Sequence, residues 1–276
     1  MTFRFTKMQA LGNDFVVFDA EDALDLPDRA FLRALADRHT GVGFDQALAL
    51  LPAQRAGVAA AYRIFNADGG EVEQCGNGVR CVAALIAARQ QRDATPFTLD
   101  SPAGPVTARV HADGLVSVAM GIPNFQPAAL AFAAAESAPS YDLDLGDQRV
   151  ELGAVSMGNP HVVLRVDAID QAPVTSLGPR IEHHPRFARR TNVGFMEVVT
   201  RQQLRLRVWE RGVGETRACG TGACAAVAIG RHRGWLEAAV AVDLPGGRLH
   251  IAWPGPGELL WMTGPAVRVY EGTLTP

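Results

Sequence analysis

The sequence predicts an α+β protein of two pseudo-symmetric domains, each a curled, mostly antiparallel sheet around one central helix. Three observations carry this expectation. The chain repeats itself, its apolar runs are mostly short and strand-like, and an Ala-rich segment follows the same Cys-Gly-x-Gly string in each half. Leu11-Gly12-Asn13-Asp14-Phe15-Val16-Val17-Phe18 aligns with Met157-Gly158-Asn159-Pro160-His161-Val162-Val163-Leu164. Thr40-Gly41-Val42-Gly43-Phe44 aligns with Thr191-Asn192-Val193-Gly194-Phe195. Arg63-Ile64-Phe65-Asn66, Gly70-Glu71 and Cys75-Gly76-Asn77-Gly78 align with Arg207-Val208-Trp209-Glu210, Gly214-Glu215 and Cys219-Gly220-Thr221-Gly222. The three matches keep their order, at offsets of 146, 151 and 144 residues, as two copies of one unit would.

Taken in chain order, residues 2–6 and 13–18 have the alternation and β-branched or aromatic content of strands. Residues 28–38 have helical spacing, with Phe31, Leu32 and Leu35 on one face. Strand patterns return at 61–66, 106–110, 115–119, 161–166, 194–199 and 204–209, and Pro-Asp or Asp-Gly pairs at 27–28, 68–69 and 113–114 mark turns. Val79 to Arg89 and Ala223 to Arg231 are apolar nearly all round, as a short buried helix is. The boundary between halves is expected near Ala119–Pro127. Residues 127–140 read as a short surface helix or loop, and Arg180 to Arg190 as a solvated basic loop.

The 276 residues suffice for one large domain or two smaller ones. With 26 basic and 29 acidic side chains the net charge is −3, which argues against a nucleic-acid partner. The longest uncharged run, Gly114 to Ala135, is broken by Pro123, Asn124, Gln126 and Pro127, so no membrane helix is expected. The N-terminus lacks a signal-peptide pattern, and four cysteines in this length read as thiols of a reducing cytoplasm. Lys7 is the only lysine. A Schiff base to pyridoxal phosphate would have to use it, and the Gly-Lys-Ser/Thr of a P-loop is absent. No His-Glu-x-x-His occurs, so neither cofactor nor metal is expected.

Cys75 and Cys219 occupy matching positions before a Gly-x-Gly and a helix. A helix start offers unpaired N–H groups and the positive end of the dipole. That environment lowers a thiol's pKa into a range of roughly 3.5–7.5 and cradles a carboxylate. Two such thiols facing each other would flank one ligand. Inversion of a carbon stereocentre through a carbanion needs this arrangement: a base on one face, an acid on the other, and donors for the charge that moves onto the carboxylate. Most buried cysteines are merely small core hydrophobes. Cys81 and Cys224 fit that description, because their repeat counterparts are Ala225 and Arg80. The spacings are poor for zinc. Gly220-Thr221-Gly222-Ala223-Cys224-Ala225 matches a dinucleotide fingerprint only formally, lacking its strand and βαβ context. A disulfide between Cys75 and Cys219 would inactivate rather than serve.

At these residues the chain resembles the diaminopimelate epimerase family, pyridoxal-independent amino-acid epimerases. The motifs are Gly12-Asn13-Asp14-Phe15, Phe65-Asn66-Ala67-Asp68-Gly69, Cys75-Gly76-Asn77-Gly78-Val79-Arg80-Cys81 and Gly158-Asn159-Pro160-His161. They continue with Thr191-Asn192-Val193-Gly194-Phe195, Trp209-Glu210-Arg211-Gly212-Val213-Gly214-Glu215-Thr216 and Ala218-Cys219-Gly220-Thr221-Gly222. The resemblance implies halves of 1–119 plus 265–276 and 120–264, with the active site in the cleft between them. It implies Cys75 and Cys219 as the acid–base pair, assisted by His161 and Glu210. Gly76, Asn77, Gly220 and Thr221 would hold the reacting carboxylate, and Asn13, Gln46, Asn66, Asn159, Asn192, Glu210 and Arg211 the rest of the substrate. Tyr270 resembles the family's dimer-contact tyrosine, which implies a homodimer. The implied reaction interconverts LL- and meso-diaminopimelate on the route to lysine and peptidoglycan.

Other functions leave more unexplained. Proline and hydroxyproline racemases share the two-thiol logic but differ around both cysteines, and the phenazine-pathway isomerase of the same fold lacks the pair. A racemase of another amino acid is the alternative within the class. A cysteine hydrolase or a silent amino-acid-binding protein would have no use for a matched pair.

Overall fold

The computed structural model describes residues 2–72 and 75–274; Met1, Glu73, Gln74, Thr275 and Pro276 lie outside the described residues. The chain divides into two units, Met1–Ala119 with Thr263–Pro276, and Met120–Met262. Unit 1 contains β1 (Phe3–Ala10), β2 (Asn13–Asp19), α1 (Arg29–Ala36), β3 (Gln46–Leu51), β4 (Val58–Asn66), β5 (Glu71–Val72), α2 (Gly76–Arg89), β6 (Phe97–Ser101), β7 (Gly104–Val110) and β8 (Val116–Ala119). Unit 2 contains β9 (Tyr141–Asp144), β10 (Arg149–Ser156), β11 (Pro160–Arg165), α3 (Val174–Glu182), β12 (Asn192–Thr200), β13 (Gln203–Glu210), β14 (Gly214–Thr216), α4 (Gly220–His232), β15 (Ala239–Leu244) and β16 (Gly247–Ala252). The chain returns to unit 1 through β17 (Trp261–Gly264) and ends in β18 (Val267–Leu274), which pairs antiparallel with β1.

The two sheets share a pairing pattern. In unit 1, β1–β2, β3–β4, β4–β5, β6–β7 and β7–β8 are antiparallel, while β2–β3 and β4–β6 are parallel. In unit 2, β9–β10, β10–β11, β12–β13, β13–β14 and β15–β16 are antiparallel, while β11–β12 and β13–β15 are parallel. Registers agree as well. Phe15 lies opposite Gln46 as His161 lies opposite Asn192, and Phe65 opposite Glu71 as Trp209 opposite Glu215.

Those registers correct one part of the repeat. Gln46 is the structural counterpart of Asn192, whereas the match of Thr40–Phe44 with Thr191–Phe195 sets a loop against the start of β12. A Gly-x-Gly-like string suits either setting: Gly43 turns at φ +73° before β3, and Gly194 stays in the strand.

Each sheet wraps the helix its pattern promised. α2 packs on β1, β3, β4, β7 and β8, and α4 on β10, β11, β12, β13 and β16. Covered on most sides, both helices are built of small apolar residues with a weakly amphipathic pattern. They begin at Gly76 and Gly220, a turn earlier than the apolar runs, so each Cys-Gly-x-Gly is an N-cap and first turn. Two segments read as surface are partly core. A 3-10 turn at Pro127–Leu130 buries Leu130, and Phe132 stacks on Phe187 with ring centroids 4.7 Å apart. The basic stretch is helical through Glu182, and Ile181, Glu182 and Phe187 are buried. Among the described residues, no helix is long and apolar enough to cross a membrane.

Candidate active site

In unit 1 the register collects polar side chains at one end of three adjacent strands. Asn13 opens β2, Gln46 opens β3 and Asn66 closes β4 opposite Gln46. Gln46 Nε2 donates to Asn66 Oδ1 at 2.9 Å, and Gln46 Oε1 is buried with no protein partner. Cys75 is the N-cap of α2 in extended backbone geometry, and Gly76 and Asn77 form the first turn. The Cys75 thiol faces Asn13 Oδ1 at 3.9 Å, which also accepts from Asn77 Nδ2 at 3.2 Å.

Unit 2 builds the counterpart with different side chains. His161 lies on β11 beside Asn192 at the start of β12, and Glu210 ends β13. Cys219 is the N-cap of α4, with Gly220 and Thr221 in the first turn. Cys219 Sγ is 3.7 Å from Thr221 Oγ1, and Glu210 accepts a hydrogen bond from the Thr216 hydroxyl. A β-carbon on Gly222 would stand 2.9 Å from Val208 Cγ2 and 3.2 Å from Cys219 Sγ, so the glycine makes room for the sulfur.

The electrostatics differ from the expected acidic thiol at Cys219. Burial pushes this thiol well above its ordinary pKa, and the Glu210 carboxylate pushes it further. The Thr221 hydroxyl and the Gly222 N–H act the other way and are outweighed. Cys219 therefore rests as a thiol: the helix start does not offset loss of water plus a neighbouring anion. His161 is buried and neutral. Its pKa is brought down to about 3 by burial, with the Arg211 guanidinium adding to the effect. Its Nε2 lies 3.0 Å from Asn159 Oδ1.

Asn192 and Arg211 are tied together. Asn192 Nδ2 donates to Pro160 O at 2.8 Å, and its Oδ1 accepts the Arg211 backbone N–H at 2.9 Å. Both ends of this amide thus serve the backbone, while the Arg211 guanidinium is exposed and reaches Arg189 O at 3.1 Å. Sequence reasoning missed Glu182. This buried carboxylate accepts Trp209 Nε1–H and the Gly212 N–H, each at 2.8 Å, and so brackets Glu210 and Arg211 from both sides. Its signal was the helical spacing of Val174, Leu177 and Ile181, hidden by the basic residues that follow. Among the described residues, no three His, Cys, Asp or Glu side chains are grouped as a metal would need.

Two units of repeated topology, each with a cysteine at the N-cap of its buried helix, define a protein of the fold seen in amino-acid racemases and epimerases. A probable proline racemase from Agrobacterium radiobacter superposes with a TM-score of 0.71, over 99% of this chain and 93% of that one, at 16% identity. A hydroxyproline epimerase from Agrobacterium vitis gives 0.70 over 99% and 92%, also at 16% identity. Identity this low speaks for the fold alone. The diaminopimelate epimerase family model matches residues 5–126 and 153–269. The diaminopimelate epimerase of Pseudomonas syringae pv. tomato is 54% identical over 274 residues, and that of Pseudomonas paraeruginosa 52% over 272, each with 99% of both chains covered. The chain belongs to the diaminopimelate epimerase family, and it is an isomerase.

Proposed function

We propose that the chain interconverts LL- and meso-2,6-diaminopimelate in the cytoplasm, with Cys75 and Cys219 serving opposite faces of the reacting carbon. The observation that carries this reading is the pair of cysteines at equivalent N-caps of two repeated units. One cysteine, as thiolate, takes the α-proton, and the other, as thiol, delivers its own proton to the other face. The reverse reaction exchanges the roles. Gly76, Asn77, Gly220 and Thr221 hold the reacting carboxylate as charge moves onto its oxygens. Glu210 and the neutral His161 assist the Cys219 transfer. Asn13, Asn159 and the unpartnered Gln46 Oε1 bind near the reacting end, and Asn66, Asn192 and Arg211 recognise the distal amino acid group. No Schiff base is required, and Lys7 is unsuited to one: its Nζ pairs with Asp14 Oδ2 at 2.6 Å and donates to Gly43 O.

The test is NMR of diaminopimelate in heavy water. Wild type should wash out the α-hydrogen as the stereoisomers equilibrate. Cys75→Ala and Cys219→Ala should each lose at least about 10³-fold, beyond the middle of the general acid–base range. A rate within about tenfold of wild type in either variant, ~1.4 kcal/mol of barrier, would remove the two-base assignment.

A further inference from the structure

The Asn13 amide that faces Cys75 belongs to a chain of hydrogen bonds anchored at both ends by charge. At one end, Asp45 Oδ2 accepts Asn13 Nδ2 at 2.8 Å, and Asp45 Oδ1 accepts Arg38 Nη2 at 2.8 Å. At the other, Arg80 Nη2 donates to Asn77 Oδ1 at 2.9 Å. Arg80 is fully buried, and its Nε reaches Pro265 O at 3.3 Å. A carboxylate only accepts and a guanidinium only donates. The order Asp45, Asn13, Asn77, Arg80 therefore allows one polarity: each amide points its NH₂ toward Asp45 and its oxygen toward Arg80. That polarity sets an oxygen, Asn13 Oδ1, against the Cys75 thiol.

We infer that Asp45 and Arg80 are positioning residues for the acid–base thiol: they fix the Asn13 amide so that Cys75 meets an acceptor, which holds its S–H and resists thiolate formation. An acceptor bonded to the neutral form disfavours the charged one. With the amide reversed, an N–H donor would face the sulfur and favour the thiolate. The inference rests on the reading of Cys75 as one of the two acid–base groups.

The surroundings are consistent. Asp45 also accepts the Asp14 backbone N–H at 3.1 Å, and Arg38 joins it to Asp14. Burial alone would raise the Asp14 carboxyl, but hydrogen bonds and charge from Arg38 and Lys7 hold it at about 2. The lone lysine thus stands behind the acidic end of the chain. Among the described residues, Tyr62 on β4 and Cys81 on α2 couple electrostatically to Cys75, and burial raises both.

The test reads the thiol without requiring turnover, so failure of the proposed reaction and failure of this inference are seen separately. The rate of Cys75 alkylation by iodoacetamide is followed across pH by mass spectrometry on the full chain. Asp45→Ala removes the acceptor and should lower the apparent Cys75 pKa by about one unit, a tenfold gain in thiolate below it. Asp45→Asn keeps an acceptor oxygen but loses the charge, and should stay near wild type. If both variants shift alike, the ion pair with Arg38 is what matters and the inference fails. It also fails if neither shifts. Labelling of the buried Cys81 and Cys224 reports loss of fold. Should Asp45→Ala show it, Asn13→Ala with Asp45→Asn and the double variant gives the answer: Asn13→Ala alone must lower the pKa, and the second change must add nothing.

Discussion

Cys219 and His161 are both held neutral by burial, and the consequence can be measured on the histidine. Its folded pKa is about 3, with burial the larger cause and Arg211 the smaller. An unfolded chain protonates histidine near pH ~6.5. Below that value the unfolded state takes up a proton that the folded state refuses, so stability falls as pH falls, by up to ~1.4 kcal/mol per unit until the folded pKa is reached. His161→Phe installs the residue of the equivalent position Phe15 and removes this contribution. Urea unfolding at pH 7.5 and 5.5 should show wild type losing about 1.4 kcal/mol more than the variant over that interval. Equal losses would mean that His161 is solvated or already charged. At this scale the sequence was informative where residue type sets chemistry. Motif and resemblance name Cys75, Cys219, His161 and Glu210, and the structure sets the two cysteines at equivalent helix N-caps. The rise in the Cys219 pKa was not legible, because it depends on distances to Glu210 and on exclusion of water. Glu182 and Asp45 stayed hidden for a similar reason: a lone acidic residue has no pattern until its partners are placed.

The first turn of each helix is where backbone geometry becomes chemistry, and the two turns differ in tolerance. At Gly222 a methyl group would meet Val208 Cγ2 at 2.9 Å and Cys219 Sγ at 3.2 Å. At the equivalent Gly78 the nearest atoms are Leu48 Cδ2 at 3.2 Å and Phe15 Cε1 at 3.4 Å, the outer atoms of core side chains. Gly222→Ala should therefore displace the sulfur and lower kcat by about 10²-fold, the order expected of a misplacement near 1 Å. Gly78→Ala should lose only a few-fold, with about 1 kcal/mol of overpacking. Steady-state rates for both variants, with unfolding curves to confirm the fold, check the contrast, and equal losses would refute it. β2, β8, β11, β13 and α1 lie close to the bounds their local patterns predict, whereas the pattern at 2–6 covers only the first half of β1 and that at 61–66 misses the start of β4. β3 (Gln46–Leu51, QALALL) was not predicted, because Ala and Leu carry no β preference and its strand state comes from β2 and β4 on either side. α3 escaped because Gly178 and Pro179 interrupt its pattern, while Leu177 and Ile181 still bury its inner face.

Duplication explains much of the whole molecule, and its departures from symmetry mark function. The bidentate pair of Arg63 with Glu71 recurs as Arg207 with Glu215, so a fold-supporting bridge was kept in both copies. Phe15 stands where the other unit has His161, and Asn66 where it has Glu210, so the copies diverge at positions proposed to act on the substrate. β18 has no such internal account. Val267, Val269 and Tyr270 are each more than 40% exposed, although strict alternation would turn one of the last two inward. A register shift between Lys7 and Met8 in the β1–β18 pairing breaks that alternation and leaves both outside. The Tyr270 ring is supported edge-on by Phe5, with centroids 6.1 Å apart. A supported tyrosine among exposed valines has the composition of an interface core, and it is where a second copy of this chain is expected to pack. Sedimentation equilibrium should give twice 29.4 kDa for wild type and 29.4 kDa for Tyr270→Asp. Tyr270→Phe keeps the ring and should remain dimeric, so a monomer there would assign the contact to the hydroxyl. A wild-type monomer at micromolar concentration would leave this apolar strip without its proposed partner.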